Sequence, residues 1–399
     1  DLYIITMSTL IGKLLHYEES WCKFMSFFNP YIDPFNNHLT NKMPVFDGKA
    51  YKRYPQHNFV YDKLWIVKSQ GLKGGKLENL LGKEKTVTYP IFIKPRWGHL
   101  SASSKNCFKI SSPAELMKYK EYKNMMWSEF IKGTEGMTDY IVVKGQIMHQ
   151  ITYVYSEEQN GFTDVWKYIS PDSKPPTHIT EWVNKHMKNF TGIVNVQYRH
   201  EKIIEVGLRL ARGGAYIIST DNKALITNIN NVFTNNFWDF SLQQKMKFKP
   251  FYVFKCFTTT PIIYLFPQYL LDYIVQQHTK LPFYEYYFEP AGKEGMVFLQ
   301  FMDTNFERGM KTKERIENLF NISQKIMYSF LIIMILLLLF SKSIMKYYFM
   351  LFVIGLFLSR FINPMTVNYN LYKAQKQSLF GGGPDKSTEL DLEVETFLN

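Results

Sequence analysis

Residues 191–214 read TGIVNVQYRHEKIIEVGLRLARGG, and their reading decides the fold. They spell two short strands joined by a polar turn, then a loop with two arginines and two glycines. With a period of two, Ile193, Asn195 and Gln197 share one face of the first strand, and Val194, Val196 and Tyr198 the other. In the second strand the same alternation puts Glu205 with Ile203, and Ile204 with Val206 opposite them. A tight turn at residues 200–202 brings Gln197 and Glu205 side by side. An amide oxygen beside a carboxylate at the ends of adjacent strands suits a hard cation such as Mg²⁺. Arg209 and Arg212 follow where phosphate charge would need neutralising. From the spacing alone, an ordinary hairpin with a surface Glu and Gln accounts for the pattern equally well.

Two earlier stretches point the same way. YPIFIKPRWGHLSASSKNC (residues 89–107) is a short apolar strand that delivers Lys94 at its end, then a small, hydroxyl-rich loop containing Gly98 and Ser101. A lysine leaving a strand beside small residues can neutralise phosphate oxygens while backbone N–H groups approach them closely. Residues 127–130 form a strand running into EFIKGTE, with carboxylates at Glu129 and Glu135. Two carboxylates so close also fit a general acid/base pair. The GLKGG of residues 71–75 lacks the Walker spacing and reads as a flexible turn.

Taken in order, these stretches resemble the ATP-grasp superfamily, in its carbamoyl-phosphate-synthetase-like, carboxylate–amine ligase branch. The family patterns run roughly I-K-P-x-x-G-x-S-x-G and G-x-x-N-x-Q…I-E-x-N-x-R-x-S-R. The resemblance covers about residues 51–233. It implies an α/β (α+β) fold of two subdomains clamping ATP between them. By position it makes Gln197 and Glu205 the ligands of Mg²⁺ (or Mn²⁺), Arg209 a catalytic phosphate contact, and Lys94 the nucleotide-phosphate lysine. Ser101 and Arg212 fall among the nucleotide-binding positions. The hinge of Glu129, Phe130, Ile131 and Glu135 would pair with adenine through backbone groups and with ribose through carboxylates. Asp62 and Lys63, ahead of a short helix, match the entry to the nucleotide unit. Two departures stand out. Gly207 replaces the family's Asn two residues after the Glu, and Ala102, Ser103 and Ser104 replace loop glycines. The implied activity is an ATP-dependent ligase that activates a carboxylate as an acyl phosphate for attack by an amine or other nucleophile. The alternatives are a catalytically degenerate ATP-binding scaffold and a structural membrane protein with chance motif matches.

Composition bounds the rest. The chain has 399 residues, 17% aromatic, and a formal net charge of +12. That charge suits a polyanion or an acidic membrane face, but no compact basic run with interleaved aromatics suggests nucleic acid. Cys22, Cys107 and Cys256 are far apart and odd in number, which argues against a disulfide framework or a zinc site. Residues 1–50 read as an N-terminal region with a helix over 7–28 and a loop over 29–44, and residues 51–320 as the ATP-grasp domain with an extension. Within that domain, 156–176 reads as polar and turn-rich, 215–220 and 224–233 as helical, and 237–283 as irregular. Asp303 is expected to cap a charged helix.

Residues 326–340 and 347–359 are uncharged, with Lys342 and Lys346 between them. A perpendicular span needs about 20 apolar residues, so each half is short. The expected arrangement is a membrane-inserted helical hairpin over 325–362, with the lipid bilayer as partner and the catalytic domain facing the cytosol. Residues 363–399 read as a polar tail.

Overall fold

A computed structural model describes residues 39–45, 47–100, 106–157, 159–160, 163–211, 222–258, 284–285, 289–290 and 296–340, with 273, 347, 348 and 350. Two antiparallel sheets organise them. The smaller contains β1 (Gly74–Lys76), β2 (Ile91–Pro95), β3 (Phe108–Ile110) and β4 (Met125–Glu129), in the order β1-β4-β2-β3. The larger begins with β5 (Glu135–Val143) and β6 (Gln146–Tyr155). A separate small hairpin of β7 (Gln159–Asn160) and β8 (Thr163–Asp164) follows. The large sheet resumes with β9 (Trp166–Ile169), β10 (Gly192–Arg199), β11 (Lys202–Gly207), β12 (Phe251–Thr258), β13 (Tyr284–Glu285), β14 (Glu289–Pro290) and β15 (Met296–Asp303). Its order is β11-β10-β5-β6-β9-β12-β15-β13, with β14 also on β15. Besides four-residue helices at Pro113–Leu116 and Phe240–Gln243, the described residues include α1 (Asp47–Arg53), α2 (Lys63–Ser69), α3 (Thr177–His186), α4 (Lys223–Asn235) and α5 (Phe306–Phe340). This is the mixed α/β (α+β) class expected, and α1 runs across the expected boundary at residue 50.

The large sheet is buried on both faces because its strands alternate two apolar sets. On one face Met137, Ile141 and Ile193 meet Leu225, Ile229, Val232 and Phe233 of α4, whose spacing is one helical stripe. On the other, Tyr140, Val142, Val194 and Val196 meet Ile179, Trp182 and Val183 of α3. Asn222 caps α4 by accepting from Leu225 N at 3.2 Å, and Asp62 caps α2 by accepting from Leu64 N at 3.0 Å. The β5–β6 turn falls at Lys144 and Gly145, both at positive φ (50° and 82°), the conformation of a two-residue primed turn. That sheet edge holds the β10–β11 hairpin against α2.

Several expectations change. Residues 156–176 and 237–283 carry strands: β9 and β12 sit in the middle of the large sheet. In β12 every residue but Tyr252 is buried, so the polar/apolar alternation that marks a one-sided strand is absent. Lys255, within it, breaks the apolar pattern but is neutralised by Asp164 at 2.8 Å. Asp303 does not cap α5. The Asn305 side chain does, accepting from Arg308 N at 2.9 Å, while Asp303 binds the Arg308 guanidinium.

The expected membrane hairpin is described only in its first half. Residues 326–340 are the end of α5, whose earlier part is charged and packed on the sheet, with Phe320 stacked on Phe298 at 4.2 Å. Fifteen residues of helix rise about 22 Å, less than a hydrocarbon core of about 30 Å. No helix among the described residues is long and apolar enough to cross a membrane. The second half, apart from residues 347, 348 and 350, lies outside the described residues, as do the helices expected over 7–28 and 215–220 and the polar tail.

Candidate functional site

The β10–β11 hairpin does bring Gln197 opposite Glu205, but by a route the simple alternation misses. The register runs Asn195↔Gly207, Val196↔Val206 and Gln197↔Glu205, then shifts so that Tyr198 faces Ile203. Ile204 is the extra residue of a β-bulge. Ile203 and Val206 therefore point into the same apolar cluster as Val196 and Tyr198. Glu205 is turned to the opposite face, beside Gln197. Without the bulge Glu205 would share the buried face of Ile203.

Lysines close on this face from the other elements. Lys63, at the start of α2 and 4% exposed, pairs with Glu205 Oε1 at 3.1 Å. Lys94, on β2 of the small sheet, donates Nζ–H to the carbonyl of the bulged Ile204 at 2.7 Å, bridging the two sheets. Burial, followed by repulsion from Lys63, lowers the Lys94 pKa to about 8, against the pull of Glu205. Asp62 and Arg96 fix this corner through a bidentate pair, Nε to Oδ1 at 2.8 Å. At Gly98 a Cβ would lie 3.4 Å from Glu205 Oε1, so the start of the hydroxyl-rich loop adjoins the carboxylate. Cys107 lies in the same electrostatic neighbourhood, and burial raises its pKa, which keeps it a thiol.

Arg209 follows the strand and donates to Asp47 Oδ2 at 2.5 Å and to the Leu210 carbonyl at 2.8 Å. Two strands inward, on β5, Asp139 is fully buried and accepts from Asn195 Nδ2 at 2.6 Å, Tyr153 Oη at 3.0 Å and Ala211 N at 3.2 Å. Burial raises its pKa to about 6 despite these donors and the charge of Arg209. Asp139 thus ties the backbone just beyond Arg209 to the centre of the sheet.

The hinge residues lie where the two sheets join. Glu129 ends β4 and accepts from Lys73 N at 3.0 Å, and Phe130 and Ile131 follow in the connection to β5. Glu135 opens β5, where Arg199 donates to it at 2.8 Å and the Gln197 amide donates to its other oxygen. The carboxylate assigned to ribose is therefore the one that orients Gln197. Ser101 and Arg212 lie outside the described residues. Lys63, Asp47 and His99 were not among the expected site residues. Lys63 was legible as the charge beside the Asp62 cap, whereas Asp47 and His99 carry no local signal.

Among the described residues no three His, Cys, Asp or Glu side chains stand together as a ready metal cage. A hard cation shared with phosphates needs fewer protein oxygens. Glu205, with its side chain 39% exposed, and the neighbouring Gln197 amide supply them. The residues present fit Mg²⁺.

The chain matches no protein-family model and no curated protein sequence. Among solved structures it is similar to carboxyaminoimidazole ribonucleotide synthase from Aspergillus clavatus complexed with ATP, at 12% identity and a TM-score of 0.47, over 71% of this chain and 80% of that one. It is similar to the L-amino acid ligase of Bacillus licheniformis, at 13% identity and a TM-score of 0.44, over 68% and 76%. It is also similar to biotin carboxylase of Campylobacter jejuni, at 14% identity and a TM-score of 0.43, over 68% and 75%. The functional reading rests on the geometry of the site itself.

Proposed function

We propose that this chain is an ATP-grasp protein that binds Mg·ATP between its two sheets and works as an ATP-dependent carboxylate–amine ligase. The observation that carries the reading is the convergence at one hairpin. Gln197 and Glu205 are cross-strand partners, Lys63 pairs with Glu205, and Lys94 reaches the same strand from the opposite sheet. Bound Mg²⁺ (or Mn²⁺) would lower the charge of the phosphates. Glu205 and Gln197 would hold it, with Glu135 and Arg199 fixing the amide. Lys94 would leave the Ile204 carbonyl for a phosphate oxygen, a stronger, charge-assisted acceptor. Arg209 would stabilise charge on the transferred phosphoryl group. A carboxylate oxygen of the acceptor attacks the γ-phosphorus and ADP leaves. An amine then attacks the acyl carbon, loses a proton and expels phosphate. No side-chain nucleophile is needed, in keeping with the protonated Cys107.

Calorimetry with Mg·ADP on the full chain and on Glu205→Ala tests this. Mg-dependent binding that the variant loses, with its circular dichroism unchanged, is the expected result. Binding that ignores both Mg²⁺ and the substitution would instead favour the degenerate, non-catalytic reading that Gly207 suggests.

A further inference from the structure

β11 ends at Gly207, two residues beyond Glu205 and so on the same face. A Cβ at 207 would meet the Asp47 Oδ1 carboxylate oxygen at 3.0 Å and the Tyr61 hydroxyl at 4.0 Å. The place of a side chain at this strand position is taken by a carboxylate from α1, 160 residues earlier in the chain. We propose that Asp47 supplies, from α1, the oxygen that strand position 207 lacks, and completes with Glu205 and Gln197 a divalent-cation site. This inference rests on reading the hairpin as a nucleotide–metal site.

Asp47 is held as a ligating carboxylate is held. Its Oδ1 accepts from Tyr61 Oη at 3.2 Å, and Tyr61 Oη in turn accepts from Leu208 N at 2.9 Å. Its Oδ2 accepts from Arg209 at 2.5 Å. Outer hydrogen bonds of this kind orient a carboxylate toward a metal, and losing them costs affinity. The strand that carries Glu205 thereby fixes the position of Asp47 as well.

A second, independent feature stands at the same juncture. His99 is 7% exposed, and neither ring nitrogen has a hydrogen-bond partner among the described residues. It stacks on Tyr51 of α1 at 3.8 Å and meets the edge of Tyr61 at 5.6 Å, next to the Gly98 that adjoins Glu205. A buried polar ring without partners costs free energy unless something outside the fold completes it. Bound water on a cation, or a phosphate oxygen, would do so.

The test measures Mn²⁺ binding to the full chain with ADP, by electron paramagnetic resonance of free Mn²⁺. Asp47→Ala is expected to weaken Mn²⁺ on the order of 10–100-fold. Adding Gly207→Asn to Asp47→Ala is expected to recover much of that loss, because the new amide oxygen enters the vacated space. Asp47→Cys should turn the preference from Mn²⁺ to Cd²⁺ and show a thiolate-to-metal absorption band, which a purely structural Asp47 would not produce. Unchanged or tighter Mn²⁺ binding in Asp47→Ala, with Glu205→Ala still abolishing it, would overturn the inference and make Asp47 a plug on Arg209. Should Asp47→Ala not fold, Asp47→Cys without a Cd²⁺ preference overturns it equally. If Glu205→Ala leaves Mn²⁺ binding intact as well, the nucleotide–metal reading itself fails.

Discussion

Lys255 and Lys94 are buried to a similar degree, 2% and 7% exposed, yet their surroundings treat the charge in opposite ways. Lys255 lies mid-sheet on β12 and pairs with Asp164 at 2.8 Å, and that carboxylate is itself buried. Burial pushes the Asp164 pKa up, but Lys255 and Lys167 outweigh it and hold the group below the ordinary carboxylate range. Lys94 instead meets a neutral carbonyl, with Lys63 repelling it, and its pKa falls to about 8. The first cation is answered by a carboxylate within the fold. The surroundings of Lys94 keep a desolvated cation next to an exposed carboxylate, an arrangement that a phosphate would relieve. Equal burial therefore does not mean equal surroundings: Lys255 has an anionic partner and Lys94 a neutral one.

Substitution should separate the two lysines. Lys255→Met strands the Asp164 carboxylate, and removing one partner of a buried pair costs about 3–5 kcal/mol. Urea denaturation should show that loss while Mg·ADP affinity stays unchanged. Lys94→Met removes a cation without stranding a charge, so stability should fall by no more than about 1 kcal/mol. Its nucleotide affinity should nevertheless drop on the order of 10–100-fold, the worth of a charge-assisted hydrogen bond. Equal stability losses in the two variants would erase the distinction.

pH sharpens the contrast further. The folded chain holds Lys94 near 8, against 10.5 for a free lysine, so between those values the unfolded chain binds the proton more readily. This group therefore makes stability rise with pH across that window. Nucleotide affinity should move the other way, declining as the ammonium is lost above about pH 8. Paired urea and Mg·ADP titrations on either side of that value should show the crossing, and Lys94→Met should remove it. Asp139 gives a second slope. Its pKa is raised to about 6 from 3.8, so stability should fall as pH rises through that interval, and Asp139→Asn should flatten the curve.

The smallest effect lies far from both lysines in sequence. Asn305→Ala deletes the cap of α5 at an exposed position and should cost about 0.5–1 kcal/mol in denaturation, with nucleotide binding untouched. A change in binding there would couple α5 to the site and blur the contrast.

Local sequence determined much of this. The alternation in 192–199 wrote β10, the stripe at Leu225, Ile229, Val232 and Phe233 wrote α4, and Lys144-Gly145 wrote the β5–β6 turn, because each depends on neighbours within a few residues. The adjacency of Gln197 and Glu205 followed from the length of their turn. The face on which Glu205 lands did not, since it depends on the bulge at Ile204, whose carbonyl accepts from Lys94 of the other sheet. β12 was hidden because a strand covered on both sides has no polar face to mark its period. Asp47 and His99 became candidates only when α1 packed against residues 58–61 and 98–100 and brought Asp47 to Gly207 and Arg209. By itself the sequence determined which polar and charged groups the hairpin and the strand before it carry, and their order along the chain. Tertiary structure alone decided which charges are answered within the fold and that a carboxylate from α1 stands where Gly207 has no side chain, because both depend on contacts between residues far apart in the chain.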